Sequence, residues 1–217
     1  MIPWLLVAAA YLVGAVPASY LAGRWAQGID LREHGSGNLG ATNTFRVLGA
    51  RVAAPVMLFD ILKGTLPVVL FPRWDGSVAW AWALAYGAAA IVGHVFPVYM
   101  RFRGGKGVAT ATGVFLALAP LQLGVGVAVW LLVLKLTRMV SAASIAAALT
   151  VGVLLLATPV RVETRVLGLA VVLFVVLAHR SNIVRIMRGE ESRFGRKKEP
   201  EATVAAAAVT ADGETPE

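Results

Sequence analysis

The chain of 217 residues contains no cysteine, which excludes disulfides, thiolate metal sites and a cysteine nucleophile. Charge is scarce as well. Charged residues make up 15% of the sequence and apolar ones 58%, against ~25% and ~45–50% in ordinary soluble domains. A soluble fold of this size cannot hide so much apolar surface. The alternating ten-residue patterns of a membrane barrel are also missing. What remains is an all-α, polytopic integral membrane bundle. Three histidines scattered among few carboxylates match no metal-ligand spacing, so the sequence predicts no metal and no cofactor.

The apolar residues fall into long runs. Residues 2–23 carry no charge, enough for one crossing at ~20 residues per span. No positive n-region precedes the run and its first base, Arg24, follows it, which predicts a retained helix with the N-terminus outside. Further spans are predicted over 52–71, 76–100, 139–160 and 166–178, the last extended by snorkelling Arg161 and Arg165. Residues 108–134 exceed one span, and Pro120, Gln122, Gly124 and Gly126 interrupt them. Two short helices with a turn near Pro120 are predicted, giving seven spans and a cytoplasmic C-terminus. Loop charge agrees: of twenty bases, sixteen fall inside, Arg73, Arg161 and Arg165 outside, and Lys63 within a helix. Seven acids in residues 1–198 leave an excess of thirteen positive charges. That excess reports cytoplasmic loops rather than nucleic-acid binding. Residues 1–195 form the membrane domain. Residues 196–217 read as a disordered Ala-rich, acidic cytoplasmic tail.

Chemistry-bearing residues concentrate in three polar segments that this topology places on the cytoplasmic side. In HGSGNLGATN (34–43), glycines free backbone N–H groups to turn toward an anion, Ser36, Asn38, Thr42 and Asn43 add neutral donors, and Arg46 follows as a bidentate cation. The alternative is a glycine-rich turn between helices. In RFRGGKGVAT (101–110), Gly104, Gly105, Lys106 and Gly107 open into a helix, whose N-terminal amides and dipole suit a phosphate. Arg101 and Arg103 read equally as topogenic charge or lipid contacts, and His94 as a capping or a catalytic histidine. In the third segment, His179, Asn182 and Ile183 share one helical face; the bases around them also suit a lipid anchor. Asp60 and Lys63, three apart within a span, partly neutralise each other and read either as a structural ion pair or as groups with a role near the site. Ser141 and Ser144 form a small hydroxyl face.

The runs GSGNLGATN, GHVFPVYMRFRGGKGVAT and HRSNIVRIMRGEE resemble the three signature motifs of the PlsY family, membrane acyl-phosphate:glycerol-3-phosphate acyltransferases of bacteria. The resemblance covers residues 1–195. It implies a seven-helix enzyme of the cytoplasmic (inner) membrane, its motifs facing the cytoplasm. It also implies transfer of a fatty acyl group from acyl phosphate to the 1-hydroxyl of glycerol 3-phosphate, giving lysophosphatidic acid and phosphate. Carried over by position, Ser36, Asn38, Thr42, Asn43 and Arg46 belong to the substrate pocket. Gly104, Gly105, Lys106 and Gly107 cradle the acyl phosphate. His179 and Asn182 bind or orient glycerol 3-phosphate, with Ser141 or Ser144 beside them. Lys106, Arg46, His179 and Ser36 are the expected catalytic residues. The enzyme that makes acyl phosphate is the implied partner, besides membrane lipid, and the chain is expected to act as a monomer. Ser181 stands where the family pattern leads one to expect an acidic residue.

Such chemistry suits the residues. Two anionic substrates, one with a long chain, need cations beside a lipid-accessible groove, and an acyl phosphate is already activated, so charge stabilisation and positioning suffice. The His-x4-Asp pattern of many glycerolipid acyltransferases is missing: Leu39, Tyr99 and Val184 stand five residues after the three histidines. A transporter or flippase for an organic phosphate remains the rival, although it needs its anion binders at mid-membrane.

Overall fold

The computed structural model describes residues 1–76 and 79–194. Among the described residues every regular element is helical, in the order α1 (Ile2–Ala15), α2 (Ala18–Gln27), α3 (Ala41–Leu48), α4 (Ala50–Trp74), α5 (Trp80–Val95), a 3-10 turn (Val98–Met100), α6 (Val108–Leu118), α7 (Pro120–Thr137), α8 (Val140–Ala157), α9 (Val162–Ala178) and α10 (Arg180–Met187). The expected 196–217 tail lies outside the described residues.

Proline and glycine set most of the boundaries. Pro17 cannot donate to the preceding turn and separates α1 from α2. Gly28, with φ +70°, then ends α2 as a left-handed cap. Pro120 occupies the first turn of α7, where its missing N–H costs nothing, and Ala119 alone divides α6 from α7. The turn therefore falls where the sequence predicts it. Pro72 lies inside α4, which runs past the predicted span end at 71 to Trp74. The last span starts earlier than read, at Val162. The Arg165 guanidinium does not snorkel; it donates back to the Leu155 and Thr158 carbonyls at 2.9 and 3.3 Å.

The chain is a multi-pass membrane protein. Five helical stretches, Ile2–Gln27, Ala50–Trp74, Trp80–Met100, Pro120–Thr137 and Val140–Ala157, are long and apolar enough to cross a bilayer. The pair Val162–Ala178 and Arg180–Met187, bent by 53°, makes a sixth if counted as one span. The eleven residues of α6 reach only ~16 Å at 1.5 Å per residue, half of a ~30 Å hydrocarbon core.

Without a hydrophobic drive between helices in lipid, close backbone approach holds the bundle. A Cβ on Gly93 would strike the Tyr11 carbonyl, so α5 lies directly against α1. Gly64 and Gly113 do the same between α4 and α6, against Thr110 and Ile61. Val68, Leu84, Val114, Phe115 and Leu155 fill the space where α4, α5, α6, α8 and α9 meet. Within this framework Lys63 pairs with Asp60 at 2.7 Å, both side chains buried. Lys63 Nζ also donates to the Val16 carbonyl at the Pro17 break (3.0 Å), and His94 Nδ1 lies 3.6 Å from the same Asp60 oxygen. The expected intramembrane pair is present, with an imidazole added.

Candidate active site

A cavity of about 2160 Å³ gathers all three polar segments at one end and runs between apolar helices at the other. It exceeds the ~300–1,000 Å³ of a small-molecule pocket.

The first segment is shaped by Asn43. Buried on α3, its Nδ2 donates to the Leu31 and His34 carbonyls (3.2 and 3.0 Å) and its Oδ1 accepts from the Ser36 N–H and hydroxyl (2.8 and 3.1 Å). These four bonds use the capacity of the amide. Asn43, expected to face a substrate, borders the cavity, but its amide is spent on pinning the loop that presents Ser36. Gly35, at φ +64°, has no room for a Cβ beside that amide. Asn38, Thr42 and Arg46 line the cavity, the last two one turn apart on α3. No side chain caps α3; the Asn43 N–H bonds back to the Gly40 carbonyl at 3.0 Å, which leaves the Ala41 and Thr42 amides for an anion.

The second segment differs from the expected cradle. The Gly104 and Gly105 N–H groups donate to the Val95 and His94 carbonyls (3.1 and 3.2 Å) and are not free for a phosphate. Both residues are glycine for closeness: a Cβ on Gly105 would meet the His94 ring and the Leu39 carbonyl, and one on Gly104 the His94 carbonyl. The anion-facing part is Lys106 together with Gly107, whose φ of +74° starts α6, again without a side-chain cap. Lys106 Nζ donates to Asn182 Oδ1. Burial pushes its pKa down to about 8; Glu191 opposes the shift, and Arg185 and Arg46 add to it.

In the third segment the chain bends at His179. With Nδ1–H donating to the Val175 carbonyl (2.8 Å), the other ring nitrogen is left for the cavity that His179 lines. Asn182 Nδ2 donates to Glu191 Oε1 at 2.7 Å, as does the Ser141 hydroxyl at 2.7 Å, while Arg185 Nε reaches Oε2 at 2.8 Å. Burial alone would raise the Glu191 pKa; the bonds from Ser141, Asn182 and Arg185 overcome it and hold the carboxyl low. Glu191 and Arg185 were not singled out from the sequence, although both lie in the third run. Their one signal was an acid pair following a basic helix. The serines are also told apart: Ser141 joins this network, and Ser144 accepts from the Trp130 indole at 3.2 Å. Ser181 lines the cavity as well.

Away from these groups the wall is aliphatic, with Val127 and Leu131 of α7, Ala147 and Val151 of α8, and Val171 and Val172 of α9. Among the described residues neither Lys106 nor Arg46 forms an ion pair with a carboxylate, and no group of three or more His, Asp or Glu side chains is placed to hold a metal.

Bundle and cavity together define a polytopic helical membrane protein with a polar, cation-bearing end beside an apolar cleft. Residues 4–189 match the family model for glycerol-3-phosphate acyltransferase, and the chain belongs to that family. It is 50% identical over 195 residues to a glycerol-3-phosphate acyltransferase of Synechococcus elongatus, covering 87% of this chain and 92% of the relative. The likeness to one from Halalkalibacterium halodurans is 45% over 210 residues, with 90% and 97% covered. The crystal structure of PlsY, an integral membrane glycerol 3-phosphate acyltransferase, in its glycerol 3-phosphate form superposes with a TM-score of 0.83 at 36% identity, covering 89% of this chain and 96% of that one. The lysophosphatidic acid form gives 0.80 at 35%. The resemblance of the three motifs to PlsY is thus shown over the bundle.

Proposed function

We propose that the chain moves a fatty acyl group from acyl phosphate to the 1-hydroxyl of glycerol 3-phosphate, releasing lysophosphatidic acid and phosphate. The observation that carries this reading is the convergence of two uncapped helix N-termini, each with its own unpaired cation, on one cavity with an aliphatic wall. One seat is Lys106 with the first turn of α6; the other is Arg46 with Thr42 and the first turn of α3. Two phosphates and one acyl chain fit that division. The glycerol 3-phosphate and lysophosphatidic acid forms of the related PlsY structure, acceptor and product in this reading, agree with it.

In this mechanism the hydroxyl oxygen attacks the acyl carbon, the bond from that carbon to the phosphate oxygen breaks, and phosphate leaves with the electron pair. Lys106 and the α6 amides neutralise the leaving group in a partly dehydrated site, where preorganised charge is most effective. Arg46 holds the acceptor phosphate, and Ser36, Asn38 and His179 orient the glycerol. Asn182 keeps Lys106 in place and is itself held by Glu191, which Ser141 and Arg185 fix. The hydroxyl proton passes to an oxygen of the departing phosphate, because an imidazole among cations is a poor base. No nucleophilic side chain, cofactor or metal is invoked.

We place the enzyme in the cytoplasmic (inner) membrane of a bacterium as a monomer with seven spans, counting the bent α9–α10 pair as one and the short α6 as another. The N-terminus is outside and the site faces the cytoplasm, where an enzyme making acyl phosphate supplies the donor. Residues 1–195 form the catalytic unit. The test is to offer the purified protein in lipid glycerol 3-phosphate with acyl phosphate, acyl-CoA or acyl carrier protein. Equal amounts of phosphate and lysophosphatidic acid from acyl phosphate alone, lost in Lys106→Ala, are expected. Silence with all three donors would overturn the reading and send the search to liposome uptake.

A further inference from the structure

Past residue 189, where the family match ends, the chain stays at the cavity. Gly189 turns it at φ +72°, with its N–H and that of Glu190 bonded back to the Ile186 and Arg185 carbonyls (3.1 and 2.8 Å). Glu191 then points inward, while Ser192 and Arg193 run exposed over the outside. At Phe194 the segment is tied down again. Its N–H donates to the Arg138 carbonyl between α7 and α8 (2.6 Å). Its ring stacks on Phe45 of α3, centroids 4.5 Å apart and planes within 18°. Residues 189–194 all line the cavity. One short strap thus joins α10, the α7–α8 turn and α3 across the polar end. Glu191 anchors its inner edge, and Phe194, whose partners lie outside the Lys106–Asn182–Glu191 network, fastens the outer edge.

We propose that Phe194 is a specificity-determining residue: it latches the strap over the seated donor so that the acyl group passes to glycerol 3-phosphate rather than to water. This rests on the donor reading above. An acyl phosphate at Lys106 is as activated toward water as toward an alcohol. Attack by water on the acyl carbon breaks the same carbon–oxygen bond and yields fatty acid and phosphate. Arg46 favours glycerol 3-phosphate by seating its phosphate, but until the acceptor arrives no charge keeps water from the acyl carbon, so that protection falls to exclusion of bulk water. The half-exposed Phe194 ring, stacked on Phe45 of α3 while its backbone N–H is tied to the α7–α8 turn, does that by holding the strap in place without touching the catalytic groups.

The test compares phosphate released with lysophosphatidic acid formed. Phe194→Ala is expected to raise the hydrolysed share by about two- to tenfold, the range that loss of one stacked aromatic pair supports, with Phe194→Trp returning it to the wild-type value. Phe45→Ala removes the same stack from the other side and should match Phe194→Ala. An unchanged ratio in both alanine variants, or a Phe194→Trp protein as leaky as Phe194→Ala, overturns the proposal. Because the chain has no cysteine, Val140→Cys, on the cavity wall, gives a readout independent of the donor. A charged thiol reagent should label it faster by a similar factor when Phe194 or Phe45 is alanine, and an unchanged rate overturns the latch. Wild-type protein inert with acyl phosphate would instead overturn the donor reading, leaving the latch to the labelling.

Discussion

Two charge clusters lie within this bundle, one buried and one half-exposed at the cavity, and they are built on opposite plans. Around Asp60 the charges close on themselves: Lys63 pairs at 2.7 Å and spends a further proton on the Val16 carbonyl. Around Lys106 they stay open. Its neighbour Asn182 is neutral, the carboxylate of Glu191 is already taken by Ser141, Asn182 and Arg185, and Arg46 adds a second cation without a carboxylate partner. In a medium where an isolated charge costs several kcal/mol, a closed pair serves the fold, whereas an open cation serves whatever anion arrives. Asp60 and His94 also border the cavity, so the difference lies in pairing, a closed pair beside open cations, and is read without reference to any relative.

The comparison can be broken most strongly at Asp60. Asp60→Asn leaves Lys63 buried without its counter-charge and should cost about 3–5 kcal/mol, read as a large drop in thermal unfolding in detergent, with Lys63→Met in the same chain restoring most of it. A stable but inactive Asp60→Asn protein would move this cluster into the site. At the open cluster, Lys106→Ala should lower kcat by about 10²–10³-fold, the usual cost of losing one charge-stabilising donor, while unfolding temperature changes little. A matching loss of stability would mean that Lys106 is framework too.

Acidity sharpens the contrast. Burial holds Lys106 near 8, so it is charged below that pH and loses its proton as pH rises through it. The affinity for donor should fall by up to about tenfold per unit above pH 8. Lys106→Arg, whose guanidinium stays charged, should flatten the profile in kcat/KM. The smallest effect is expected at His179. His179→Gln keeps a hydrogen bond and should cost less than about tenfold in kcat; abolished turnover with both substrates still bound would make the imidazole the base.

Composition and residue order carried the bundle, the break at Pro120 and the Asp60–Lys63 pair, because each is a local matter of apolar run length, a missing N–H or helical spacing. They also carried the convergence of the three polar segments. The parts that were not legible depend on distant partners. Asn43 reads as a donor for a ligand until the fold brings Leu31, His34 and Ser36 around its amide. Gly104 and Gly105 read as a phosphate cradle until the end of α5 takes their N–H groups. Nothing in the spacing of Glu191 announces Ser141, fifty residues away. α3 was hidden because it is short, lies between Gly40 and Gly49, and carries the weak helix formers Thr42, Asn43 and Thr44 in its first half.

The central claim is that both anions are seated together and the acyl group passes directly between them. Initial rates measured while acyl phosphate and glycerol 3-phosphate are varied against each other test it most directly. Intersecting double-reciprocal lines, the pattern of a ternary complex, are predicted. Parallel lines, with phosphate released in the absence of glycerol 3-phosphate and an acyl group left on the protein, would contradict it and point to a covalent intermediate on one of the cavity's own side chains.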